Sequence, residues 1–216
     1  SSYTIRRIMT STRKQTPRQQ KKHNRSLILS AIYAYQPISR VNIARLTGLS
    51  RPTVTDLTQD LLERALIEQI GAEVKDGKAG KRAALLAINP DAYHLIALEL
   101  NSARCTGALL SLTGDILYRH TIPYDQTTLP LPFEPVLALM DALMDRVTRP
   151  VLGIGVGVPG LLDVQQGVIL EASNLGWRDL PLQAMLNERY HLPVYTGNDC
   201  NMAALGEYHF GRQATS

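Results

Sequence analysis

Cysteine is nearly absent from this chain of 216 residues: only Cys105 and Cys200 occur, far apart in the sequence. Two thiols at that separation exclude a disulfide-stapled scaffold and a self-contained zinc site, and a reducing compartment is the simpler expectation. Long apolar runs are missing too. None approaches the roughly 20 residues that cross a bilayer, and the first residues lack the apolar core of a secretory signal. The expected location is therefore the cytoplasm and nucleoid, with no membrane partner. His191 and His209 show no ligand-like spacing, so no metal site is expected in this chain.

Charge is present but divided. Residues 1–88 hold sixteen Lys and Arg against six Asp and Glu, whereas residues 89–216 hold seven against thirteen. A concentrated basic segment attracts phosphate, and an acidic remainder is poorly suited to lie along DNA. Residues 1–22 are polar and basic with little apolar periodicity, which reads as a flexible arm able to reach DNA phosphates or to serve as a solubilising tail.

From residue 23 to residue 88 the pattern changes. Leu27, Ile28, Ala31, Ile32 and Tyr35 recur at helical spacing before Pro37. Ser39 is placed to cap a second helix with Ile43 and Leu46 on one face, and Gly48 stands where the chain must turn. A third helix follows, with Ser50 as its cap, Pro52 in its first turn and Val54, Leu57, Leu61 and Leu62 facing inward. Helix, short helix, glycine turn and helix make a helix-turn-helix. The inward set leaves Arg51, Thr53, Thr55, Asp56 and Gln59 to face base edges: Arg51 suits guanine, Gln59 adenine, and the threonines a thymine methyl or a phosphate. Asp56 either orients Arg51 or rejects wrong sequences. Behind this helix, two short strands flank an Asp-Gly turn and a basic loop with Lys75, Lys78, Lys81 and Arg82, the make-up of a wing lying on phosphates.

The region from residue 89 alternates strands and helices. Tyr93 to Tyr124 reads as a hairpin or pair of adjoining strands joined through "LTGD", with a third strand. Pro132–Arg146 has helical periodicity, "VLGIGVGVPG" is a buried strand ending in a glycine-rich turn, "PLQAMLNERYHL" is a helix, and "PVYTGNDCNMAALGEYHFG" is a strand, a polar turn and the start of a helix. An α/β domain follows from this alternation. Trp177 reads as a packing anchor.

On these motifs the chain resembles the ROK family of repressors, open reading frames and sugar kinases, whose repressor branch joins a winged helix-turn-helix to an actin-like fold. The matching stretches are "SRVNIARLTGLSRPTVTDLTQDLLERALI", "GKAGKRAALLAINP", "GIGVGVPGLLDVQQGVI", "NLGW" and "NDCNMAALGEYHFG". The resemblance implies an α+β winged helix-turn-helix followed by the first lobe of a ribonuclease H-like, actin-like sugar domain. It also implies a homodimeric or larger bacterial regulator of carbohydrate genes that binds double-stranded DNA at a two-part operator and is controlled by a sugar. The sugar contacts it implies are Asn174, Asn198 and Asp199, with Gly157 and Gly160 shaping the pocket wall. Asn and Asp offer the donors and acceptors a polyol needs, although Asn198 and Asp199 can equally cap a helix and Asn174 close a turn.

The family's kinases carry D-x-G-G-T-K around the ATP phosphates. Here that stretch is "ELNSAR": Glu99 replaces the aspartate, Asn101 and Ser102 the glycines and Ala103 the threonine. Each replaced glycine adds a Cβ and narrows the backbone's approach to phosphate. A non-catalytic sensor is expected, with a sugar kinase carrying an added DNA-binding module, or a DNA-binding protein with a vestigial sensor, as alternatives. The sequence stops soon after "GEYHFG", whereas the family continues into a second lobe with further sugar contacts and commonly a zinc motif. A partial pocket, no cofactor in this chain and a structural zinc confined to that second lobe are the corresponding expectations.

Overall fold

The computed structural model describes residues 16–72, 83–125 and 129–198. The chain divides into two compact units, Ser1–Ile88 and Asn89–Ser216.

Among the described residues the first unit begins with α1 (Pro17–Tyr35), which starts before the expected helix and corrects the reading of residues 17–22 as a flexible arm. The cause is local. Thr16 Oγ1 accepts the Gln19 amide at 3.3 Å while Gln19 Oε1 accepts the Thr16 amide at 2.9 Å, a reciprocal capping box with Pro17 in the first helical position. The added turns stay exposed, so capping and the helix-forming Arg, Gln and Lys side chains sustain them rather than burial. Next come a two-residue strand β1 (Ile38–Ser39), α2 (Arg40–Thr47) and α3 (Arg51–Glu63). Gly48 ends α2 in the left-handed conformation at φ 72°, which a side chain would oppose. Strands β2 (Ile67–Ala72) and β3 (Ala84–Ile88) pair antiparallel, and β1 joins the other edge of β3. Ile28 and Ile32 of α1, Ile43 of α2, Val54 and Leu61 of α3, Ile67 of β2 and Leu86 of β3 are all but sealed from solvent. Each such side chain contributes roughly 1.5–3 kcal/mol of transfer free energy.

The second unit is built on a five-stranded sheet of β4 (His94–Leu100), β5 (Arg104–Leu110), β6 (Ile116–Pro123), β7 (Val151–Val158) and β11 (Val194–Asn198). Its order is β11-β7-β4-β5-β6, with β4, β7 and β11 parallel and β5 reversed between β4 and β6. This is the ribonuclease H-like arrangement of an actin-like lobe. The "LTGD" turn joins β5 to β6, and the first two strands are joined instead through Asn101–Ala103. Helix α4 (Glu134–Met144) lies against β5 and β6. A Cβ on Gly107 of β5 would stand 2.6 Å from Leu143 Cδ1 and 3.2 Å from Leu139 Cδ1, so the glycine lets α4 sit down on the sheet. Between β7 and α5 (Leu182–Tyr190) the chain forms a small antiparallel sheet, unanticipated from the sequence, of β8 (Leu161–Asp163), β9 (Val168–Ala172) and β10 (Trp177–Leu180). Tyr190 and Arg189 of α5 hydrogen-bond Asp141 of α4 at 2.7 and 2.9 Å, fastening the two helices together.

Candidate functional site

Two regions carry functional side chains, one in each unit. In the first, α3 turns Val54, Leu57, Thr58 and Leu61 inward and leaves Arg51, Thr55, Asp56 and Gln59 exposed, with Thr53 half-buried. Ser50 caps the helix: its Oγ accepts the Thr53 amide at 3.3 Å and shares a 2.8 Å hydrogen bond with the Thr53 hydroxyl. Thr53 is thereby partly engaged in holding the helix start. Thr55 donates its hydroxyl to the Arg51 carbonyl at 2.9 Å, and Gln59 donates to Glu63 at 3.2 Å. Among the described residues Arg51 and Asp56 have no ion-pair partner, so Asp56 does not orient Arg51 in this structure.

Two contacts that sequence reasoning missed fix the pose of α3. Thr58 is buried, donates to the Thr55 carbonyl at 3.1 Å and receives Arg40 Nε of α2 at 2.8 Å, which sets α2 against α3. Arg25 of α1 pairs with Asp60 at 2.7 Å, and Arg64 binds the same carboxylate at 3.2 Å. Burial pushes the Asp60 carboxyl up, but the Arg64 hydrogen bond and the positive charges of Arg25, Arg64 and Lys21 outweigh it and hold it below the ordinary value. Asp60 lies one residue past the reading face, and nothing in the apolar spacing distinguishes it from Asp56. Lys75, Lys78, Lys81 and Arg82 lie outside the described residues.

In the second unit, the turn from β7 to β8, strand β9 and the turn from β9 to β10 border a shallow, open cleft of about 280 Å³. Pro159, Gly160, Leu161, Glu171, Ser173 and Asn174 line it. Gly160 and Asn174 thus line one hollow. Gly160 has φ 119°, and a Cβ there would overlap the Glu171 carbonyl oxygen and approach Ala172 Cα to 3.0 Å. Only glycine meets both conditions. Gly157 does not line the cleft. It sits inside β7, between Glu99 of β4 and Gly197 of β11, because that strand runs on to Val158 before it turns. Asn198 ends β11 opposite Val158, next to the turn at Pro159. The Asn198 side chain and Asp199 lie outside the described residues.

Glu171 and Ser173, absent from the sequence-derived set, complete the polar lining. Trp177, beyond the turn that carries Asn174, is buried, donates its indole N–H to the Leu131 carbonyl at 2.8 Å and meets Phe133 edge-on at 5.7 Å. It packs, as its sequence context implied. His191 caps α5 in the left-handed conformation, and Cys105 is a buried thiol in the core.

The turn that replaces the kinases' phosphate loop folds onto itself. Asn101 Oδ1 accepts the amides of Ala103 at 2.9 Å and Arg104 at 3.0 Å, so backbone donors that would face a phosphate are already engaged. Among the described residues no cluster of three or more His, Cys, Asp or Glu is placed to hold a metal ion, and no helix is long and apolar enough to cross a membrane.

A helix-turn-helix followed by a two-stranded hairpin, and behind it in the chain a ribonuclease H-like lobe with a cleft beside the turn after β7, are the two parts the structure describes. The chain belongs to the ROK family, whose profile matches residues 95–216. It is 31% identical over 198 residues to the xylose repressor of Caldicellulosiruptor bescii, covering 88% of this chain and 48% of that protein. Against the xylose repressor of Bacillus subtilis it is 30% identical over 200 residues, covering 88% and 50%. A ROK family transcriptional regulator, described as a homologue of the E. coli MLC protein, superposes with a TM-score of 0.71 at 24% identity, covering 88% of this chain and 49% of that one, and shares its fold. The chain spans about half the length of the curated relatives it matches.

Proposed function

We propose that this protein is a sequence-specific DNA-binding transcriptional regulator, a repressor of carbohydrate uptake or breakdown genes, released from DNA by a sugar. The observation that carries the reading is the division of α3: an apolar side sealed in the core and an exposed side of Arg51, Thr55, Asp56 and Gln59, the side-chain types that read base edges in a major groove. Two copies would present two reading helices to a two-part operator. Lys78, Lys81 and Arg82 would follow the backbone beside each. Gly160, Asn174, Asn198 and Asp199 would face the sugar, with Gly157 behind them, and a second lobe would supply the rest of the pocket and any structural zinc. The relatives named as xylose repressors favour an aldose such as xylose as the effector. The Asn101 turn favours a sensor over a kinase. Cytoplasmic action at the nucleoid follows from the role.

The test is selection and sequencing of genomic DNA fragments bound by the intact protein, with a panel of sugars in parallel. A shared two-part site released by one sugar supports the reading. Fragments with no common site refute sequence-specific repression.

A further inference from the structure

The cleft contains one charged lining residue, and its surroundings dictate what that charge does. Glu171 extends from β9 with its side chain half exposed. Its Oε1 accepts Ser173 Oγ at 3.3 Å and Arg178 Nη2 at 3.2 Å. Among the described residues nothing hydrogen-bonds Oε2. The carboxylate is therefore held by one oxygen and presents the other. Arg178 is 72% exposed with its charge set against Glu171, and residues 89–216 contain no lysine. The remaining lining offers the Ser173 hydroxyl, the Asn174 amide and the apolar surfaces of Pro159 and Leu161.

We propose that Glu171 is a ligand-binding residue that makes this cleft select an uncharged polyhydroxyl ligand over the phosphate ester of the same sugar. The inference rests on the reading of the cleft as the sugar site and adds the chemical class of its occupant. A sugar hydroxyl donates to the free Oε2, a hydrogen bond strengthened by the carboxylate's charge. Ser173 and Asn174 supply the alternating donors and acceptors that neighbouring hydroxyls require. A phosphate in the same hollow meets a like charge that Arg178 offsets only in part, through its 3.2 Å ion pair with Glu171. Because Glu171 is half exposed, water screens that repulsion, and the discrimination expected is about tenfold rather than thousands-fold. Gly160 contributes by lying against the Glu171 carbonyl, which fixes where along β9 the carboxylate emerges.

Calorimetric titration of the intact protein tests this with D-xylose, D-glucose and N-acetyl-D-glucosamine, each against its phosphate ester. Operator binding is followed in the same samples. The wild type is expected to prefer a free sugar over its ester by about tenfold or more, and Glu171→Gln to lose about tenfold in affinity for the free sugar while narrowing that ratio. Unchanged thermal unfolding of Glu171→Gln excludes misfolding as the cause. The wild-type preference needs no variant, so a poorly folding substitution does not shelter the proposal. An ester bound more tightly, with Arg178→Gln abolishing its binding, makes Arg178 an anion anchor and overturns the proposal, as does an E171Q ratio equal to wild type. Either result leaves the sugar-regulated repressor intact. Operator binding with no response to any sugar removes that reading and this inference together.

Discussion

Two turns emerge at the same edge of the five-stranded sheet and have opposite fates. Strands β4 and β7 run parallel with Glu99 beside Gly157, so the turns that follow them are neighbours. The turn after β4 is closed by its own Asn101, whose side-chain oxygen occupies two backbone amides. The turn after β7 is held open by Gly160, and a cleft lies against it. The two turns thus differ although they follow neighbouring strands of one sheet in one register. Positions that accept a Cβ have become ordinary turn chemistry, whereas a position that cannot accept one still shapes a hollow.

That contrast can be broken most severely at Gly160. Gly160→Ala forces a side chain against the Glu171 carbonyl at a backbone angle that L-residues rarely adopt, and the expected cost is about 3 kcal/mol in denaturant unfolding of the second unit. A change under 1 kcal/mol would show that the turn relaxes freely. Extended to the first unit, Arg51→Ala is expected to weaken operator binding by about 1–3 kcal/mol and relax base preference, measured by equilibrium binding at fixed salt. Uniform weakening on all sequences would assign Arg51 to a phosphate. At the closed turn, Asn101→Ala removes two hydrogen bonds and should cost about 1–2 kcal/mol, with ATP shifting the melting temperature of neither variant nor wild type. An ATP-dependent shift would reopen the kinase reading. The smallest effect is at Asp60. Its folded-state value is depressed, so its contribution is present above the unfolded value of 3.8 and is lost as pH falls through the lower folded value. Asp60→Asn is expected to cost about 0.5–1 kcal/mol near neutrality and to flatten the acid limb of the stability profile, measured by urea unfolding across pH.

The apolar spacing made the three described helices of the first unit legible, and the Gly48 turn with them, because each buries a continuous face. It also made β4, β5, β7 and α4 legible through their buried positions. The start of α1 was hidden, since Thr16, Pro17 and Gln19 signal a helix by capping alone, inside a polar stretch with no inward face. Strand β1 has two residues, too few to show any period. The small β8–β10 sheet escaped because Leu161, Val164 and Leu170 remain exposed, which blurs alternation just where the cleft forms. Glu171 was hidden with it. A carboxylate acquires meaning there only when the turn after β7 folds back onto β9, a relation between residues a dozen positions apart.

The single tryptophan of the chain stands three residues beyond Asn174, enclosed by Leu131 and Phe133. Selectively excited, the protein therefore emits from the second unit alone, from an apolar site behind the wall of the cleft. A sugar that settles against Ser173 and Asn174 should alter that emission without any attached dye. DNA on α3 is dark to it unless the second unit responds, so a change in Trp177 fluorescence on adding operator would be a direct optical reading of communication between the two halves.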